Sequence, residues 1–193
     1  SSVVRGSINN LTKNGLIGAG LVALVVLLFL RNLRSTAIVL VAIPMGILGA
    51  SLGLYFTGDT LNSMTLGGLA LAIGILVDQA IVVIENITRH KAMGKSNVDA
   101  ARDGAGEVAL PVFVSTLTFV VVFFPVVFLS GMASYLFTPL AVAVTFAVAT
   151  SYLIAMTFIP AAAARVLPEG SGATTTADGF LARTYRSVAG LCY

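Results

Sequence analysis

Five long stretches of the sequence contain almost no charged side chains, and they restrict the possible folds more than any other feature. They cover residues 11–30, 37–56, 64–88, 108–129 and 139–159. Each approaches the roughly 20 residues that a helix needs to cross the hydrocarbon of a bilayer. The runs are continuous rather than alternating, so they do not suit a β-barrel, and helices remain as the structure that satisfies the backbone in lipid. The sequence therefore predicts an all-α membrane protein, a bundle of five transmembrane helices.

Composition agrees with a protein whose main contact is membrane lipid. Only 10% of the residues are charged, against about 25% in a typical soluble domain. The net charge of +3 is small and no basic run occurs, so nucleic acid is not an expected partner. Cys192 is the only cysteine, which excludes an intrachain disulfide and a thiolate metal cluster. With no nucleophile–base pair, phosphate loop or metal-ligand spacing, we expect no enzymatic activity, no cofactor and no metal site.

The basic residues indicate the orientation of the bundle. Nine of the 11 Lys and Arg residues lie on one side of the predicted spans: Arg31, Arg34, Arg89, Lys91, Lys95, Arg102, Arg165, Arg183 and Arg186. The positive-inside rule makes that side cytoplasmic. The N-terminus of the chain is therefore predicted to be periplasmic and its C-terminus cytoplasmic.

The spans divide the chain into three parts. Residues 1–10 are predicted to end an extracytoplasmic segment, residues 11–160 to form the five-span bundle, and residues 161–193 to form a cytoplasmic linker and the start of an interfacial amphipathic helix. Neither a signal peptide nor an initiating Met is present at the start, so we expect an internal piece of a longer protein. Ser96 suits a helix N-cap, and Gly104 and Gly106 are expected to end a short cytoplasmic-surface helix there, mainly a solvated connector.

Asp78 is the candidate functional residue. It lies near the middle of the third span, where a carboxylate costs about 2.5–3.5 kcal/mol on insertion scales. Ionisable residues at that depth are usually functional, and a carboxyl group that binds and releases a proton is what a proton-coupled machine requires. A static ion pair is the alternative, but the five spans offer no basic partner, so either interpretation needs a cation from elsewhere.

Helical spacing places Asp78 on one face of the third span, together with Gly67, Leu71, Gly74, Val82 and Glu85. Glycines on such a stripe allow close approach of another helix or leave room for water. Glu85 lies near the cytoplasmic end with Arg89 four residues on, which favours an ion pair over a role in proton exit.

Three neighbouring features are mostly structural. His90 lies among basic residues and is expected to be solvated. Asn86 could cap a helix or bond across helices. The small residues from Gly49 to Gly53 indicate helix packing.

Residues 74–87 resemble the signature helix of the resistance-nodulation-division (RND) exporters. The likeness continues in Leu28-Phe29-Leu30-Arg31-Asn32-Leu33-Arg34 with Ile43-Pro44, and in residues 107–131. It implies that the five spans are the second to sixth of a twelve-span protomer, that is, half of an RND-type transmembrane domain. It further implies a trimeric bacterial inner-membrane antiporter that works with a periplasmic adaptor and an outer-membrane channel, in which aspartates of this helix take up protons.

Gln79 departs from the multidrug pattern of that family, which usually has two adjacent acids here. Because an amide cannot titrate, Asp78 alone would translocate protons on this helix, with Gly74, Gln79 and Glu85 as possible supporting residues. The resemblance implies proton-driven export of drugs or other amphiphilic compounds. Export of heavy-metal cations, whose exporters also tend to have one acid here, is an alternative, as is a non-transporting module such as a translocation accessory or lipid sensor. The lysine that the family places opposite the acids would come from the other half of such a protomer.

Overall fold

The computed structural model describes residues 17–30, 32–60 and 62–168, and these residues form a helical bundle. Its elements are α1 (Ile17–Leu30, as far as it is described), α2 (Leu33–Thr57), α3 (Ser63–Ala92), α4 (Asn97–Phe123), a 3-10 helix (Phe124–Phe128) and α5 (Met132–Val166). No strand occurs in these ranges, and α2 to α5 are long and apolar enough to cross a membrane. The predicted all-α membrane bundle is confirmed.

Helices α3 and α5 form the centre of the bundle, since each packs against the other and against both α2 and α4. Small and branched side chains fill two main layers between the helices. One layer includes Val83, Ile84, Ile87, Ala101 and Ile159, and the other includes Ala50, Leu54, Leu69, Ala143 and Val148. Because alanine and glycine are frequent at these contacts, the backbones approach closely.

The small residues of α2 pack against α5, as the sequence predicts. A Cβ atom at Gly49 would overlap Cγ2 of Thr150, and one at Gly53 would lie 2.5 Å from Cδ1 of Phe146. A larger side chain at either position would require Thr150 or Phe146 to shift.

The fourth helix contradicts the expected short surface helix. Ser96 does cap its start, since its Oγ accepts a hydrogen bond from the Asp99 backbone N–H at 3.2 Å. The helix then continues through Gly104 and Gly106 without a break to Phe123. A glycine inside a helix costs about 0.5–1 kcal/mol, but Gly104 is the point where α4 touches α3, and tertiary contact outweighs that cost. A Cβ atom there would lie 2.8 Å from Cα of Ile87.

The fifth helix is longer than predicted. It runs from Met132 to Val166 and contains Pro139 and Pro160, so it begins before and ends after the predicted span 139–159. Residues 1–10 and the predicted interfacial helix within 161–193 lie outside the described ranges, and both remain predictions.

Most of the charged residues of α3 and α4 lie at one end of the bundle, where α3 and α5 end and α4 begins. There the side chain of Lys91 donates to the carbonyl of Pro168, and Asn97 Nδ2 donates to the carbonyl of Leu167 at 2.7 Å. These bonds tie the end of α3 and the start of α4 to the residues that follow α5. The charged side chains of this region therefore lie together, and its cytoplasmic location remains a prediction.

Candidate functional site on helix α3

The stripe predicted on the third span forms one uncovered face of α3. Its members are all exposed, whereas the residues between them are mostly buried; the exposed set is Gly67, Leu71, Gly74, Asp78, Val82 and Glu85. A Cβ atom built at Gly67 or Gly74 would meet nothing within 4 Å. No described helix covers this face, so in a membrane it is available to lipid or to a further helix.

Asp78 lies at the midpoint of α3, about 20 Å from either end of the helix at 1.5 Å per residue. Beside it, a cleft of about 120 Å³ opens between α3 and α4. Its lining consists of Ile75, Asp78, Gln79, Val82, Val112, Ser115 and Phe119. One water molecule needs only about 10–15 Å³ of such space, so the cleft has room for several waters next to the carboxylate.

Gln79, the next residue, points into the bundle, where its amide links three helices. Its Nε2 donates to Thr116 Oγ1 of α4 at 2.8 Å, and its Oε1 accepts from Ser151 Oγ of α5 at 2.7 Å. All three side chains are buried. These two bonds were not predicted from the sequence. The sequence signal that could have indicated these bonds is a hydroxyl residue on each of the two neighbouring helices, at the same depth in the bundle as the Gln79 amide.

The charged end of α3 differs from the predicted pairing. Arg89 lies 2.6 Å from Oε2 of Glu107 on α4 rather than next to Glu85, so the expected Glu85–Arg89 pair is wrong. The same Glu107 oxygen accepts from Asn86 Nδ2 at 3.0 Å and lies 2.7 Å from His90 Nε2. An exposed ion pair one helical turn apart, such as Glu85–Arg89, stabilises a helix by only about 0.2–0.5 kcal/mol. Arg89 binds Glu107 instead, whose carboxylate also contacts Asn86 and His90.

His90 is held rather than solvated, which corrects the second expectation for this region. Its side chain is only 12% exposed, and its Nδ1 lies 2.9 Å from Lys95 Nζ. Because an ammonium group only donates, Nδ1 is the acceptor and Nε2 carries the hydrogen toward Glu107. Lys95 also pairs with Asp103 at 2.6 Å. The charged-end cluster, defined as Arg89, His90, Lys95, Asp103 and Glu107, thereby fastens the end of α3 to the start of α4.

Comparison with known proteins decides the family. The sequence profile of the AcrB/AcrD/AcrF family matches residues 1–190. The chain belongs to this family. It is 38% identical over 167 residues to multidrug resistance protein MdtC of Pectobacterium atrosepticum, covering 86% of this chain and 16% of that protein. It is also 37% identical over 164 residues to MdtC of Photorhabdus laumondii, covering 85% of this chain and 16% of the relative.

Membership of the AcrB/AcrD/AcrF family confirms the resemblance to RND exporters that residues 74–87 carry. The chain spans about one sixth of the length of the curated relatives that it matches, at 16% of each. Together with the four long apolar helices, these matches make the chain part of a multi-pass membrane protein.

Proposed function

We propose that the chain is part of the transmembrane domain of a proton-driven efflux transporter, in which Asp78 alternately binds and releases a proton. One observation carries this proposal: Asp78 is the only charged side chain in the apolar parts of the described helices. Those parts are residues 17–30, 35–57, 63–84, 108–123 and 132–164. It lies on an uncovered face beside a cleft with room for water, which is the environment that a proton-exchanging carboxyl group needs.

The uncovered face explains how a proton could drive movement. A protonated Asp78 is neutral and tolerates an apolar neighbour, whereas an ionised one requires water or a cation. Gly67 and Gly74 would let an opposing helix approach closely. A helix from the other half of the protomer would carry the lysine that the family resemblance implies. This helix would approach Asp78 when the carboxyl group is ionised and move away when it is protonated. Proton binding would therefore change which helix arrangement is more stable.

Gln79 supports a scheme with one titrating acid on this helix. Its amide oxygen and nitrogen are both engaged in hydrogen bonds that hold α3 to α4 and α5. In this arrangement Gln79 supports the position of α3, and the proton exchanged on α3 belongs to Asp78 alone. Gly74 and Glu85, as members of the uncovered face, are proposed to contact the opposing helix.

The proposed substrates are drugs or other amphiphilic compounds, because the relatives are named multidrug resistance proteins. The single acid favours heavy-metal cations as the second candidate. We place the full-length protein in the bacterial inner membrane as a trimer, with a periplasmic adaptor and an outer-membrane channel as partners. A strain lacking its own exporters, challenged with a panel of drugs and with copper, silver and zinc salts, distinguishes the two substrate classes.

The test of the mechanism is Asp78→Asn in the full-length transporter, with Asp59→Asn as the matched control. Both changes replace a carboxylate by an amide of the same shape, but Asp59 follows the end of α2, outside the apolar stretches. We expect Asp78→Asn to abolish proton-driven substrate uptake into everted membrane vesicles while leaving protein yield and assembly unchanged. Asp59→Asn should transport normally. Transport by Asp78→Asn at the wild-type rate would refute the proposal.

A further inference from the structure

We propose that the cleft between α3 and α4 is a water site that exchanges protons with Asp78, and that Ser115 is the positioning residue that orients this water. The inference rests on the proposed function, because it names a further residue that serves the proton step. It starts from the position of Ser115, which lines the same cleft as Asp78.

The cleft has a polar middle and apolar ends. Helices α3 and α4 are joined by a short loop at residues 93–96 and run in opposite directions. Ile75 and Phe119 therefore line the cleft on the side toward the start of α3, and Val82 and Val112 line it on the side toward the charged end. Each lies three or four residues from Asp78 or Ser115, or about 4.5–6 Å along the helix axis. Water in the middle would be bounded on both sides by apolar side chains.

Ser115 has the hydrogen-bonding capacity for this role. Its hydroxyl donates to the carbonyl of Val112 at 2.9 Å, which leaves two lone pairs to accept from water or from a protonated carboxyl group. The same carbonyl also accepts from Thr116 Oγ1 at 2.7 Å. The Val112 carbonyl would still accept from Thr116 if the Ser115 hydroxyl turned away. The Ser115 hydroxyl can therefore rotate and donate toward the cleft when Asp78 is ionised.

The other hydroxyls of the apolar part of α4 do not share this position. Thr116 is buried under Gln79, and Thr118 is exposed, donates to its own helix at Val114 at 2.9 Å and is absent from the cleft lining. The described lining contains no titratable group besides Asp78. The next charged residue on the same face of α3 is Glu85, seven residues further on.

The experiment uses the full-length transporter in proteoliposomes, with transport measured against pH and the carboxyl C=O band of Asp78 recorded by infrared difference spectroscopy. Asp78→Asn assigns the band. We expect Ser115→Ala to lower transport about tenfold, the factor that corresponds to one hydrogen bond to a charged group. It should also displace both the pH midpoint and the C=O band. Ser115→Thr, which keeps the hydroxyl, should have the wild-type pH midpoint and C=O band. The control Thr118→Ala should also leave the midpoint and the band unchanged.

The outcomes separate the two proposals. Active Asp78→Asn overturns the proposed function itself. Inactive Asp78→Asn, combined with a wild-type rate, midpoint and band for Ser115→Ala, overturns only the role of Ser115. A loss of transport in Ser115→Ala without any change in midpoint or band shows a merely structural role and also overturns the inference. Should Ser115→Ala fold poorly, Ser115→Cys, which keeps the shape of the side chain in a slightly larger form but weakens the hydrogen bond, gives the same discrimination.

Discussion

Adding one methyl group at Gly104 should destabilise the bundle, although the same change two residues away should stabilise it. Gly104 lies where α4 touches the backbone of α3: a Cβ atom there would be 2.8 Å from Cα and 2.9 Å from the backbone N of Ile87. Neither atom belongs to a flexible side chain that could move aside. Gly104→Ala must therefore separate the two helices.

The size of the effect follows from these distances. Carbon atoms pack best about 3.5–4.0 Å apart, so the helices must separate locally by about 1 Å. Overpacking of this kind costs about 1–3 kcal/mol. The separation also stretches the 2.7 Å hydrogen bond from Asn86 Nδ2 to the carbonyl of Gly104, and interhelical hydrogen bonds in membranes contribute about 0.6 kcal/mol on average. The better helix propensity of alanine returns about 0.5–1 kcal/mol, leaving a net loss of about 1–3 kcal/mol.

Gly106→Ala is the matched control. Gly106 is exposed on the same helix, and a Cβ atom built there meets nothing within 4 Å. Only the propensity term applies, so the variant should gain about 0.5–1 kcal/mol. The free energy of unfolding of each purified full-length variant can be compared by titrating SDS into mixed micelles and following the loss of tertiary structure.

The sign of the difference decides the test. If Gly104→Ala proved as stable as Gly106→Ala, the close contact between α3 and α4 at Gly104 would be refuted.

Two further predictions concern the polar contacts between helices. Gln79→Leu should lower the free energy of unfolding by about 1–2 kcal/mol, because two interhelical hydrogen bonds disappear together; the same SDS titration measures it, and Thr118→Val, which alters an exposed hydroxyl, should have no effect. An unchanged free energy in Gln79→Leu would contradict the structural role of the amide. Glu107→Gln should also destabilise the protein, and less so in high salt because salt screens the exposed pair with Arg89; a loss that is the same at low and high salt would contradict this account.

Much of the fold could be predicted because a membrane leaves few choices. Apolar runs of about 20 residues must form helices, and the structure confirms α2 to α5. The error in α4 has a physical reason. Glycine has poor intrinsic helix propensity, so Gly104 and Gly106 resembled a stop signal. Gly104 contacts α3 and Gly106 is exposed, and this difference depends on where the neighbouring helix packs.

The site was predictable in part for the same reason. Helical periodicity alone placed Asp78, Gly74 and Glu85 on one face, and the structure shows them together on the uncovered side of α3. The pairing of Arg89 was not predictable, because Glu107 is 18 residues away in sequence. Local spacing can rank a pair such as Glu85–Arg89, but it cannot show a partner on another helix.

By itself, the sequence determined that the chain crosses a membrane several times and carries one ionisable group deep in its apolar segments, because residue type and depth can both be read from the order of the residues. The tertiary structure decided what surrounds that group. It turned Gln79 inward to bond Thr116 and Ser151, and it left Asp78 beside a cleft that Ser115 also lines. Adjacent residues on a helix point about 100° apart, so the packing of α4 and α5 against α3 determines which side chain becomes a structural link and which stays exposed on the uncovered face.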